Sequence, residues 1–175
     1  MKLLIRSSAL CLAASLGLGT ASAFAQDSGP TVAGVPTAVA IEGAEAAISA
    51  CAAHGAHISV LVVDGAGLPI AMVSDNGASA LTQRLVMSKA RIAAKLKMSS
   101  AEAAARYKSD DQLMFQLVMD PQMGIPLPGG LPIMVNGVSQ GAIAVSGASG
   151  GLHDEQCTQP GLDKIQQLLA RKTTK

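Results

Sequence analysis

The stretch that decides the fold is PLPGGLPIMVNGVSQGAIAVSGA, residues 126–148. LPIMVN (131–136) and GAIAVSG (141–147) are apolar runs of strand length. Asn136-Gly137 follows the first of them and is the strongest short-range hairpin signal. The stretch therefore predicts two antiparallel strands. Just ahead lies GIPLPGGLPI, residues 124–133, with three prolines, three glycines and no charge. Prolines stiffen such a segment, and glycines let another group come close. It reads either as a stiff connection into a buried strand or as the lip of a binding pocket.

A second hairpin is predicted upstream. HISVLVVD (57–64) is a buried strand, DGAG (64–67) a turn, and LPIAMVSD (68–75) the returning strand. Helices surround the two hairpins. Residues 38–53 predict one, capped by Thr37 after Pro36, with Ile41, Ala44, Ile48 and Cys51 on its apolar face. Gly43 lowers its helix propensity and Gly55 stops it. Residues 80–97 make the clearest helix, with Leu81, Leu85, Ser88, Ile92 and Leu96 near one side. Ser99 and Glu102 make a capping box for a short helix over 100–107, and 110–119 makes another led by Asp110 and Asp111. A last helix is expected from about 154 to 171, and Pro160-Gly161 either starts or kinks it. Hairpins alternating with helices predict an α/β (α+β) sandwich with a four- to five-stranded antiparallel sheet.

The chain opens MKLLIRSSALCLAASLGLGTASAFAQ. Lys2 and Arg6 precede an apolar run over 7–19, and Ala23-Phe24-Ala25 supplies the small residues of a cleavage site. A secretory signal peptide over 1–25 is expected, then a flexible leader over 26–36 and one domain over 37–175. The apolar run is too short to span a bilayer, which takes about 20 residues. A periplasmic or secreted location follows. Without Lys2 and Arg6 the chain keeps 11 basic and 12 acidic residues, a net charge of −1. Nucleic-acid binding would require a basic face, which is not present. Tyr107 and Phe115 are the aromatics beyond the leader, so stacking platforms are not expected. Cys51 and Cys157 would pair as a disulfide in an oxidising compartment. The alternative is a pair of buried thiols.

Little catalytic chemistry is legible. There is no nucleophile elbow, P-loop or dinucleotide fingerprint. His54 and His57 are close in sequence, but Gly55 separates them, and a metal would need further ligands. His153-Asp154-Glu155 sits where the last helix begins. Asp154 and Glu155 suit a helix start, and His153 can titrate or ligate. Lys89 and Arg91 read either as a solvated helix face or as a clamp for carboxylates. Tyr107 either packs with a wet hydroxyl or ligates ferric iron.

SVLVVDGAG (59–67), SKARIAA (88–94), the 126–148 stretch and DEQCTQPGLDKI (154–165) together resemble the GlcG/HbpS family, the haem-degrading domain family. The resemblance spans about residues 37–170. It implies a profilin-like sandwich that assembles as dimers or larger rings. It also implies haem binding in some secreted or periplasmic members and an association with redox or iron sensing through a sensor partner. Haem degradation is attributed to the family, yet no catalytic constellation here demands it. On that resemblance His57, His54 and Tyr107 are candidate iron ligands. Lys89 and Arg91 are candidate propionate partners, and Gly129 and Gly130 are candidate pocket-edge residues. A profilin-like fold would also place the first and last helices on one sheet face, within bridging range of Cys51 and Cys157. Relatives usually carry Ala where Pro160 stands, which leaves the start of the last helix open. Two other functions remain: an enzyme on a small hydroxy acid or on haem, with Lys89 as base, and an oligomeric scaffold subunit.

Overall fold

The computed structural model describes residues 34–173. The expected signal peptide and most of the leader lie outside the described residues. The elements run α1 (Thr37–Ala52), β1 (Ser59–Val63), β2 (Pro69–Ser74), α2 (Ala80–Leu96), α3 (Ser100–Arg106), α4 (Asp111–Met119), β3 (Gly130–Val135), β4 (Val138–Ser146) and α5 (Gly151–Thr173). The four strands form one antiparallel sheet in the order β2-β1-β4-β3. Both predicted hairpins are present. Asn136 and Gly137 both take positive φ, 50° and 77°, as a tight two-residue turn between β3 and β4 requires. β4 carries an extra residue where Ile133 pairs Gly141 and Met134 pairs Ser139.

Helices cover both faces of the sheet, which explains why every residue of β1 is buried. On one face α1 and α5 pack over Val60, Val62, Ile143 and Val145. On the other, α2 lies on Leu61, Val63, Ala142 and Ala144 through Val86, Ala90, Ala93 and Ala94. A smaller cluster joins Ile92 of α2 to Ala103, Leu113, Leu117 and Met123. No helix among the described residues is long and apolar enough to cross a membrane.

Four local expectations are corrected. Thr37 is the first helical residue of α1 rather than its cap; Pro36 holds the cap position, with no side-chain cap bond. Ile41 is 41% exposed; Ala44 and Cys51 are buried as expected, Ile48 is partly buried, and Val39, Ala40, Gly43 and Ala47 complete the packed face of α1. Small residues win that face because α5 crosses closely there: a Cβ on Gly43 would lie 2.4 Å from Ile165, and one on Gly161 would lie 2.7 Å from the Gly43 carbonyl. On α2, Leu81 is 53% exposed, while Ile92 is buried and Leu96 packs with it in the α3–α4 cluster. Finally, α5 begins at Gly151 and runs through Pro160. The missing N–H leaves the Gln156 carbonyl without its helical donor. Burial of Cys157, Thr158, Leu162 and Ile165 offsets that cost. Val35 is also packed into the main cluster, two residues before α1.

Candidate functional site

Two regions gather the side chains singled out from the sequence. The first lies where α2, β4 and the start of α5 meet. Lys89, two residues from Arg91, was placed among the charges of α2, yet it is 2% exposed. Its position recurs with Val86, Ala90 and Ala93, so it points at the sheet. Lys89 Nζ donates to Asp154 Oδ2 at 2.5 Å, to the Val145 carbonyl at 3.1 Å and to Ser146 Oγ at 3.5 Å. An ammonium has three protons, and three acceptors take them. Asp154 Oδ1 in turn accepts the Ala148 N–H at 2.7 Å. The pair thus ties the helix on one face of the sheet to the helix on the other.

The Pro-Gly-Gly loop closes over this pair. Gly129 takes φ 124°, and a Cβ there would lie 2.7 Å from the Val145 carbonyl and 3.0 Å from Lys89 Nζ. A Cβ on Gly130 would lie 2.4 Å from the Lys89 carbonyl. Both glycines are therefore required by close backbone approach. The Gly130 N–H donates to Ser100 Oγ at 2.8 Å, and the Thr158 hydroxyl lies 2.8 Å from the carbonyls of both Gly129 and Asp154. Leu127 and Pro128 of the same loop edge a cavity of about 390 Å³ with Leu81, Leu85 and Ser146. The stiff-connection and pocket-lip readings of the loop thus both have a physical counterpart.

The second region is a cavity of about 570 Å³ between the end of α1 and the first turns of α5. His54 and His153 line it, with Ala50, Ala56, Ala148 and Pro160 as small apolar wall. The Cys51–Cys157 disulfide, Cα–Cα 5.4 Å, forms part of the same wall. Neither imidazole makes a hydrogen bond or ion pair among the described residues.

The remaining candidates stand elsewhere. His57 Nδ1 lies 2.9 Å from Asp75 Oδ2, and its side chain is 61% exposed. Tyr107 is half-buried against the α3–α4 cluster, with Lys108 Nζ 5.8 Å from its ring. Arg91 Nη1 donates to the Gln122 carbonyl at 3.5 Å. Two residues apart on one helix, Lys89 and Arg91 point about 200° apart and do not converge on one ligand. Asp154 and Glu155 lie in the first turns of α5, as helix-start residues do, and His153 precedes them on the same helix. The sequence marks His153 as able to ligate, but only the structure shows that it lines the same cavity as His54. Glu155 carries a buried Oε2 without a hydrogen-bond partner, and burial pushes its carboxyl up from the usual range. No group of three or more His, Cys, Asp or Glu side chains able to hold a metal ion occurs among the described residues.

Comparison with known proteins agrees with this architecture. The structure matches a double mutant of HbpS from Streptomyces reticuli with a TM-score of 0.67 and 27% identity, covering 90% of this chain and 97% of that one. It matches the Klebsiella pneumoniae protein ORFY with a TM-score of 0.68 and 24% identity, over 75% of this chain and 90% of that one. A PduOC:heme complex shares the fold at 16% identity and a TM-score of 0.66, over 75% of this chain and 94% of that one. Among curated proteins, none matches. The family model described as "Haem degrading protein HbpS-like" matches residues 35–163, and the chain belongs to that family.

Proposed function

We propose that this is an exported haem-binding protein whose site is the cavity between α1 and α5, with His54 as an iron ligand. The observation that carries the reading is the state of the three candidate ligands. His57 and Tyr107 stand outside the cavity lining, and Tyr107 packs against a helical cluster. His54 is unengaged and lines a cavity of about 570 Å³. That volume falls within the ~300–1,000 Å³ typical of small-molecule sites. The donor chemistry also fits, because imidazole is a common axial ligand of haem iron. When bound, haem would supply redox and oxygen chemistry. His54 would hold the iron, and the small apolar walls would shield the group from water. Membership of the HbpS-like family supports the same ligand class.

The test is a hemin titration of the purified protein followed by its Soret band. A saturable one-to-one shift is expected. His54→Ala should weaken it, whereas His57→Ala and Tyr107→Phe should leave it intact. Bleaching of the band with ascorbate and oxygen would add turnover to binding; a stable band would leave binding alone. Export is tested by the N-terminus of protein recovered outside the cytoplasm, expected at Gln26.

A second reading, self-association, has its own observation. Phe115, Val118 and Met119 on α4 and Ile125 in the loop after it are 63–70% exposed. Apolar side chains gathered on one surface are a feature of protein–protein contact sites.

A further inference from the structure

The haem reading names one ligand and leaves unexplained why a second free imidazole and a disulfide border the same cavity. His54 follows Cys51 by three residues, in the turn that ends α1. His153 precedes Cys157 by four residues, one turn earlier on α5. Spacings of three and four place residues on the same side of a helical segment. Each histidine is thus one turn from a cysteine, and the two cysteines are bonded to each other.

The donor count points to the kind of metal. A free transition ion bound by protein alone takes four or more ligands as a rule. The described residues offer no cluster of three. Two donors are too few for a bare ion, but they are the number a haem iron lacks, since the porphyrin already supplies four nitrogens.

We propose that His54 and His153 form a paired axial ligand set for haem iron, and that the Cys51–Cys157 disulfide is the positioning element that fixes their separation. The inference rests on the haem reading of this cavity. Its physical basis is local. His54 lies beyond the regular helix, held by turn bonds such as the His54 N–H to the Cys51 carbonyl at 2.9 Å and the Gly55 N–H to the Ala52 carbonyl at 2.9 Å. The disulfide is the covalent tie that relates that turn to α5. Asp154, the neighbour of His153, faces the opposite way onto Lys89 and does not compete for the iron.

The experiment is a hemin titration read by spin state, through absorption and electron paramagnetic resonance. Wild-type protein, His153→Ala, His54→Ala and the Cys51→Ala/Cys157→Ala pair are compared. The wild type should give a six-coordinate, low-spin ferric species. His153→Ala and His54→Ala should each give high-spin iron, and added free imidazole should restore the low-spin form. Both histidines are exposed, so these variants are expected to fold. The double cysteine variant should bind hemin roughly 10–100-fold more weakly, as the loss of an orienting partner does. A low-spin wild-type complex whose spin state and affinity survive His153→Ala overturns the pairing. So does a high-spin wild-type complex, although the haem reading then stands. An unchanged double cysteine variant overturns the positioning role. No saturable Soret shift in the wild type overturns the haem reading, and the pairing with it.

Discussion

Lys89 shows what a single buried charge asks of its surroundings. With side chains 3% and 6% exposed, Lys89 and Asp154 are an ion pair almost without water. Removing one partner leaves the other charge uncompensated, so Lys89→Ala or Asp154→Ala should each cost about 3–5 kcal/mol in urea unfolding. Removing both together should cost less than the sum of the two, because the orphaned charge disappears. Glu155, next in the chain, predicts a pH effect of opposite origin. Burial raises its carboxyl above the ordinary value of 4.5. The folded state then holds this proton more tightly than the unfolded chain does. The Glu155 contribution to stability is therefore most favourable below pH 4.5 and is lost as pH rises from there. Glu155→Gln should remove that decline, seen as a smaller difference between urea midpoints at pH 4 and pH 7. At this scale the sequence was least legible. Nothing in SKARIAA marks Lys89 as buried, because its acceptors come from β4 and α5, more than 50 residues away.

At the scale of elements the reading was nearly complete. Both hairpins were written in their turns, and the N-caps Ser99 and Asp110 act as their residue types suggest, accepting the N–H groups of Glu102 and Leu113. Ile41 of α1 and Leu81 of α2 lie off the packed faces for one reason: in alanine-rich helices the apolar stripe is set by small residues that allow close approach, not by the largest side chains. The crossing of α1 and α5 is the clearest case. Gly43→Ala or Gly161→Ala would drive a methyl into Ile165 or into the opposing backbone. Each should destabilise by about 1–3 kcal/mol, with the slope of the denaturation curve unchanged. The continuity of α5 through Pro160 was hidden because local propensity opposes it, by about 3 kcal/mol against Ala in a helix interior. The tertiary burial that outweighs it leaves no trace in a short window of sequence.

Across the whole molecule, the sandwich presents an apolar outer surface on α4 and the loop after it. Phe115→Asp combined with Ile125→Asp should shift the protein to a smaller species in size-exclusion chromatography if this surface joins copies. An unchanged elution volume would rule it out as a contact. The candidate site divides by legibility in the same way as the fold. His54 was named from the chain, but its cavity depends on α5 returning to α1, which no local pattern encodes.

The Cys51–Cys157 bond joins residues 106 apart, and all four strands with α2, α3 and α4 lie between them. Topologically, most of the domain is a closed covalent ring from which α1 and α5 emerge as two tails. A protease that cuts once at the exposed Ile125 would open this ring without dividing the molecule. The nicked protein would keep its full mass on a non-reducing gel and separate into two pieces only after thiol treatment. Such a molecule survives its first cleavage in one piece.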